Sequence, residues 1–204
     1  IFARDNVDWK TREIATIAML AQLPHAAPQL KSHIAIGKHN GLTDPQVNEI
    51  LKIAAVRDEA DFEKQNTFGK GTLNTAYARY FIGASYLNPL TDPQKTALRV
   101  SNVTFEPKTR NNRHIHRATA GGGQILICTA GEGWYQEDGK PAVSLKPEMV
   151  ITIPANVKHW HGAKADSWFS HIAIEVPGEN LSNEWLKPVS DEEYFQLHEN
   201  DNSN

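Results

Sequence analysis

Apolar positions recur at helical spacing in the first quarter of the chain and at strand spacing in the second half. In DWKTREIATIAMLAQL, Ile14, Ile17, Ala18 and Ala21 follow the i, i+3, i+4, i+7 pattern of one helix face, which predicts a helix closed by Pro24. A second helix is predicted from Pro28, burying Leu30, Ile34 and Gly37 and stopping at Gly41 as a left-handed cap. A third starts from Thr43 and Gln46 at capping-box spacing, with Pro45 in its first turn and a stripe of Val47, Ile50, Leu51 and Ala54. Its periodicity ends near Val56, so residues 1–56 read as an all-α domain. Helices this short and one-sided must pack on each other or on another subunit.

Residues 57–96 read as a connector: NTFGKGTLNT as loop, YARYFIGASYL as an aromatic segment, NPLTDPQKT as a turn-laden stretch. Tyr80, Phe81 and Tyr86 are expected to pack on one of the two flanking domains. From Ala97 the period changes to two. RVSNVTFE, GQILICT, GWYQE, AVSLK, MVITIP, KHWHGA and SWFSHIAIEV are short strands divided by turn residues, the pattern of a barrel or jelly roll over residues 97–189. Residues 190–204 read as a closing helix and tail, capped by Ser190. The expected fold is thus multi-domain α + β, helices first and an all-β barrel second.

Composition narrows the function. The 21 basic and 24 acidic residues leave a net charge of −3, which offers no basic footprint for nucleic acid. No apolar run reaches membrane-spanning length and the start lacks a signal pattern, so a cytoplasmic location is the default expectation. The chain also lacks an initiating Met, and the native protein is expected to begin earlier. Cys128 is the single cysteine, which excludes an internal disulfide and a CxxC redox pair. It shares a strand face with Leu126 and reads as a small core residue.

The chemistry concentrates in histidine. His114 and His116 stand at i and i+2, on one strand face, and His159 and His161 repeat the pattern. Four same-face imidazoles are hard to satisfy by hydrogen bonds and point to a metal. His171 alternates onto the face of small Ala173, which leaves room for a ligand. Arg110, Arg113 and Arg117 flank the first doublet, either as a solvated rim or as captors of a substrate carboxylate. Glu13 and His33 are candidate acid–base residues of the helical half, against a packing role.

Two resemblances follow from these motifs. TREIATIAML, HIAIGKHNGLT and NEILKIAAV resemble the carboxymuconolactone decarboxylase family, which includes alkyl hydroperoxidase D; the missing CxxC argues against peroxidase chemistry. The β half resembles the cupins. Their first motif corresponds to His114, His116, Gln124 and Gly131, and their second to Pro154, Asn156 and His159. VTFEP, GQILICTAGEGWYQ, KHWHGA and SHIAI are similar to the small manganese-dependent cupins that include hydroxynitrile lyases. Asn156 and Glu148 stand where glycine is usual, and seven residues rather than three or four separate His116 from Gln124, so RATAGGG must bulge outward.

The resemblance implies His114, His116, Gln124 and His159 as ligands of one divalent transition metal per chain: Mn, Fe, Ni or Zn, with Mn favoured. His161 and His171 become the acid–base candidates. The implied activity is lyase, isomerase or dioxygenase chemistry on a small molecule, in a homo-oligomer built through the helical half. Decarboxylation in that half and a non-enzymatic ligand-binding cupin are the competing readings.

Overall fold

A computed structural model describes residues 7–23 and 26–201, apart from the side chains at 56, 57 and 198–201. The chain divides into two compact units, one ending at Asp61 and one starting at Phe62.

In the first unit, α1 (Trp9–Leu20) starts at Asp8, whose side chain accepts from the Thr11 N–H at 2.9 Å. α2 (Ala27–His39) carries Pro28 in its first turn, and Gly41 follows it at φ 95°. α3 (Asp44–Gln65) begins with the expected capping box: Thr43 N–H donates to Gln46 Oε1 at 3.1 Å and Gln46 N–H to Thr43 Oγ1 at 3.4 Å. Ile17, Leu42 and Val47 form the core, with Leu30, Ile34, Ile50 and Leu51 against them.

Two helical expectations are corrected. The buried residues of α1 are Glu13 and Ile17, while Ile14 turns outward. A Cβ on Gly37 would lie 3.1 Å from the Ile17 side chain and 3.4 Å from that of Glu13, so the face meeting α2 is the one this glycine lets approach. α1 also closes at Leu20; Pro24, expected to stop it, lies outside the described residues. α3 runs nine residues past Val56, because RDEADFEKQ contains good helix formers and no glycine or proline. Among the described residues no helix is long and apolar enough to cross a membrane.

The second unit is a two-sheet barrel. Its strands are β1 (Thr72–Leu73), β2 (Phe81–Ile82), β3 (Ser85–Pro89), β4 (Arg99–Phe105), β5 (Arg110–Asn111), β6 (His114–Arg117) and β7 (Ala120–Gly121). There follow β8 (Gly123–Gly131), β9 (Gly133–Glu137), β10 (Val143–Leu145), β11 (Val150–Pro154), β12 (Lys158–Ala163), β13 (Phe169–Glu175), β14 (Gly178–Glu179) and β15 (Ser182–Trp185). Among the described residues one sheet has the order β1-β3-β4-β13-β8-β11. The other runs β10-β9-β12-β5-β2, with β6 pairing both β12 and β15. Phe105, Leu126, Cys128, Tyr135, Leu145, Ile153, Ala163 and Phe169 make the core of this unit. Cys128 is there as expected, and burial pushes its thiol up to about 11.

Residues 57–96, expected as a connector, instead supply the end of α3 and three strands. β3 pairs with β4 along its whole length, and β2 pairs with β5. Tyr86 and Phe62 pack on Trp168, and Phe81 on Phe105, so the segment from Phe62 on belongs to the barrel unit. Strands of two to five residues broken by glycine carry no alternation long enough to read. The closing helix α4 (Asp191–Asp201) has its capping box at Ser190 and Glu193, both bonds 3.2 Å. Tyr194 on α4 packs with Trp160 and Trp134 and donates to Ala163 O at 2.7 Å.

Candidate metal centre

β6 and β12 run antiparallel with His159 opposite His114. Strand alternation then gathers His114, His116, His159 and His161 on one face, while Trp160 turns to the other, into the apolar cluster with Tyr194. The ring centroids of His114 and His159 are 4.2 Å apart, His114 and His116 5.0 Å, His116 and His159 5.3 Å.

Three rings are oriented alike. Nδ1 of His114 donates to Asn112 O at 3.0 Å, Nδ1 of His159 to Val157 O at 3.0 Å, and Nδ1 of His116 to Asn183 Oδ1 at 2.8 Å. An oxygen acceptor requires the proton on Nδ1, so each Nε2 keeps a bare lone pair. Among the described residues, Nε2 of His116 and of His159 are buried without a partner, and so is Oε1 of Gln124. Buried acceptors with no donor are costly, and a cation is what this donor set lacks.

His161 is held differently. Its Nε2 lies 2.9 Å from Asn111 Nδ2 and its backbone N–H donates to Asn111 Oδ1 at 3.0 Å. Ring nitrogens of His114, His159 and His161 fall within 4.8 Å of one another, a three-histidine cluster by distance alone. His171 sits beside a register shift where β8 carries the extra residue, Thr129, and lies between Phe105 and Phe169 at 5.6 and 5.3 Å and edge-on to His161 at 4.9 Å. Both of its ring nitrogens are buried and unpartnered.

Burial sets the protonation. It is the main force that holds His114 and His161 well below the ordinary range, with neighbouring imidazoles adding to it. Burial likewise lowers His159 to about 4 and His171 to about 3. All four are neutral at pH 7 and offer lone pairs rather than charge.

The long insertion brings Gln124 back to the site. Gly121, Gly122 and Gly123 all take positive φ, and β7 pairs with β14 in a small separate ladder. Asn156, at φ 66°, fastens the start of this loop by donating from Nδ2 to Ala118 O at 2.9 Å. Glu148, the other residue in a usual glycine place, also takes positive φ, at 75°. Gln124 then lines a cavity of about 160 Å³ together with His114, His116, His161 and His171.

The three flanking arginines point elsewhere. Arg110 is buried, donates to Val189 O at 2.9 Å, pairs with Asp191 and lies over the Tyr194 ring. Arg113 pairs with Glu193 at 3.0 Å and Arg117 with Glu184 at 2.6 Å. In the helical unit, His33 Nδ1 donates to the buried Glu13 at 2.8 Å.

Sequence reasoning missed three residues of the site: Asn111, Asn183 and Trp185. Asn183 orients His116, and Trp185 stacks on His114 at 4.8 Å from the opposite strand. Asn183 and Trp185 alternate within SNEW over too few residues to stand out, and Asn111 has no such pattern.

Comparisons with known proteins bear on the two halves of the chain separately. Residues 1–61 match the carboxymuconolactone decarboxylase family. An (R)-mandelonitrile lyase from Granulicella tundricola is 35% identical over 118 residues, which is 57% of this chain and 87% of that protein. The crystal structure of a cupin-like protein from Thermotoga maritima superposes with a TM-score of 0.56 at 39% identity, covering 64% of this chain and 95% of that one. The chain therefore belongs to the cupin family, with a carboxymuconolactone decarboxylase-like helical domain fused ahead of its barrel.

Proposed function

We propose that the barrel is a metal-dependent lyase site for a small neutral hydroxyl or carbonyl compound, with His114, His116, Gln124 and His159 as the ligands. The observation that carries this is the shared orientation of three imidazoles, each tied through Nδ1 to oxygen with Nε2 left over, beside the unpartnered Gln124 Oε1. Mn, Fe, Ni and Zn all accept three imidazoles and an amide oxygen; manganese is favoured by the resemblance of the motifs. A neutral ligand set leaves the charge of a bound ion uncompensated, and its chemistry is that of a Lewis acid that lowers the pKa of a neighbouring hydroxyl.

The chain's own residues do the rest. A cavity of about 160 Å³ suits a molecule smaller than a drug, and Phe81, Leu87, Val103, Phe105 and Trp185 among its walls suit an apolar body. Among the described lining residues the one Lys or Arg is Arg99, paired with Glu175 at 3.4 Å. With Arg110, Arg113 and Arg117 also engaged, a neutral substrate is favoured over a carboxylate. The lyase relative supports a cyanohydrin. Its hydroxyl proton passes to the neutral His171, whose ring nitrogens are both unengaged among the described residues, as the O–H electrons form the carbonyl. The carbon–carbon bond to the nitrile breaks, and cyanide leaves with that electron pair and takes the proton.

Mandelonitrile offered to metal-loaded protein should yield benzaldehyde and cyanide, and a chelator should stop it. Metal-loaded protein that turns over neither aromatic nor aliphatic cyanohydrins would overturn the lyase assignment and favour a ligand-binding cupin. A second reading, decarboxylation in the helical unit, rests on the buried Glu13–His33 pair. Glu13→Gln separates the two, since it leaves a barrel activity untouched. The helical unit is also the proposed seat of homo-oligomer contacts, because Trp9, Met19 and Ile53 are 52, 60 and 63% exposed.

A further inference from the structure

Resting on the metal-centre reading above, we propose that Asn111 is a positioning residue that holds His161 as its Nδ1–H tautomer, keeping this fourth histidine out of the ligand set and presenting a hydrogen-bond donor to the cavity. Asn111 Oδ1 accepts from the His161 main-chain N–H at 3.0 Å, and an N–H can only donate, so the amide cannot be turned round. Its Nδ2 is thereby the group facing His161 Nε2 at 2.9 Å. An amide NH₂ can only donate, so Nε2 must be a bare acceptor and the ring proton must sit on Nδ1. That nitrogen is buried with no partner among the described residues, and His161 lines the cavity.

The other three histidines carry their proton on the same nitrogen, held there by oxygen acceptors at Nδ1, and keep Nε2 free. Four imidazoles within one cluster thus carry one tautomer, and what separates His161 is the nitrogen its neighbour occupies: Nδ1 is bonded in the other three, Nε2 in His161. Distance alone would place His161 with His114 and His159 as a ligand. Asn111 removes it on two counts: the Nε2 lone pair is occupied, and the free nitrogen bears a proton. Asn111 itself is 2% exposed, on the two-residue strand β5 beside β12, where no solvent competes for its amide.

Aspartate at this position is nearly isosteric but can only accept. Asn111→Asp keeps the bond from the main-chain N–H and demands a proton on Nε2. The test is two-bond ¹H–¹⁵N correlation of the histidine rings, first on metal-free protein. In the wild type His161 should show a bare Nε2 and a protonated Nδ1, and in Asn111→Asp its Nε2 should move into the protonated range. A protonated Nε2 in the wild type, or a bare Nε2 in both proteins, overturns the proposal. Zinc, which is diamagnetic, is then titrated into the wild type. The expected result is a shift of Nε2 in His114, His116 and His159, with His161 keeping its pattern; coordination shifts on His161 overturn the proposal. If zinc shifts no histidine while the tautomers stand as stated, the metal reading fails and the assignment of Asn111 as the tautomer lock holds.

Discussion

His159, Trp160 and His161 are consecutive, yet the strand sends them to different work. His159 offers a lone pair, Trp160 packs beneath α4, and His161 is bound through the nitrogen that His159 leaves free. Substitutions at this scale should therefore separate cleanly. His116→Ala and His159→Ala should each abolish metal binding, whereas Gln124→Ala should weaken it less, because water can replace an amide oxygen; isothermal titration with Mn(II) or Zn(II) reads all three. His161→Ala should keep the metal and lower turnover by the ~10²–10⁴-fold typical of a lost acid or base. Metal loss in His161→Ala would make it a ligand. The same burial has a consequence for stability. His171 and His159 titrate near about 3 and about 4 when folded, below the ordinary 6.5, so the unfolded chain binds protons that the folded chain refuses. Metal-free protein should be fully stabilised above pH 6.5 and lose stability as pH falls, by up to about 1.4 kcal/mol per pH unit for each histidine. Urea denaturation between about pH 6.5 and 4.5, above most carboxylate titrations, checks this; a flat profile contradicts it, and His171→Leu should make the slope shallower.

Among the elements, the hairpin through Gly121–Gly123 decides whether Gln124 reaches the site. A Cβ on Gly123 would stand 2.3 Å from Ile153 O, at a φ of 95° that L residues avoid. Gly123→Ala should therefore displace Gln124 and weaken metal binding about tenfold, the equivalent of the 1–2 kcal/mol of left-handed strain, with all histidines intact. Unchanged affinity would mean that Gln124 is not a ligand. The two histidine doublets were legible in the sequence because period two is a local rule, and the capping box at Thr43 and the cap at Ser190 were legible because a few adjacent residues define them. The insertion was legible as a bulge, since three glycines allow little else. What closes the site was not. Asn111 and Asn183 act through partners 50 and 67 positions away, and a contact of that range leaves no local mark. β1 to β3 were hidden for a related reason: β1 pairs with β3, β2 with β5 and β3 with β4, all across intervening chain, and their own patterns are too short to declare a strand. The α1 face was misjudged because it buries Glu13, a charged residue that only its bond to His33 makes tolerable.

Across the whole molecule, the two units answer to different experiments. The exposed Trp9, Met19 and Ile53 predict that a truncated chain starting at Phe62 forms a smaller assembly than the full chain by light scattering. An unchanged assembly would place the subunit contacts in the barrel. The central claim concerns the barrel alone: the free lone pairs of His114, His116 and His159 with Gln124 Oε1 are a metal site. Its most direct test is elemental analysis of the full chain purified without chelator, before and after dialysis against Mn(II), Fe(II), Ni(II) and Zn(II). The account predicts about one divalent ion per chain, absent from the His116→Ala and His159→Ala proteins. A wild-type protein that carries no metal and takes up none would contradict it.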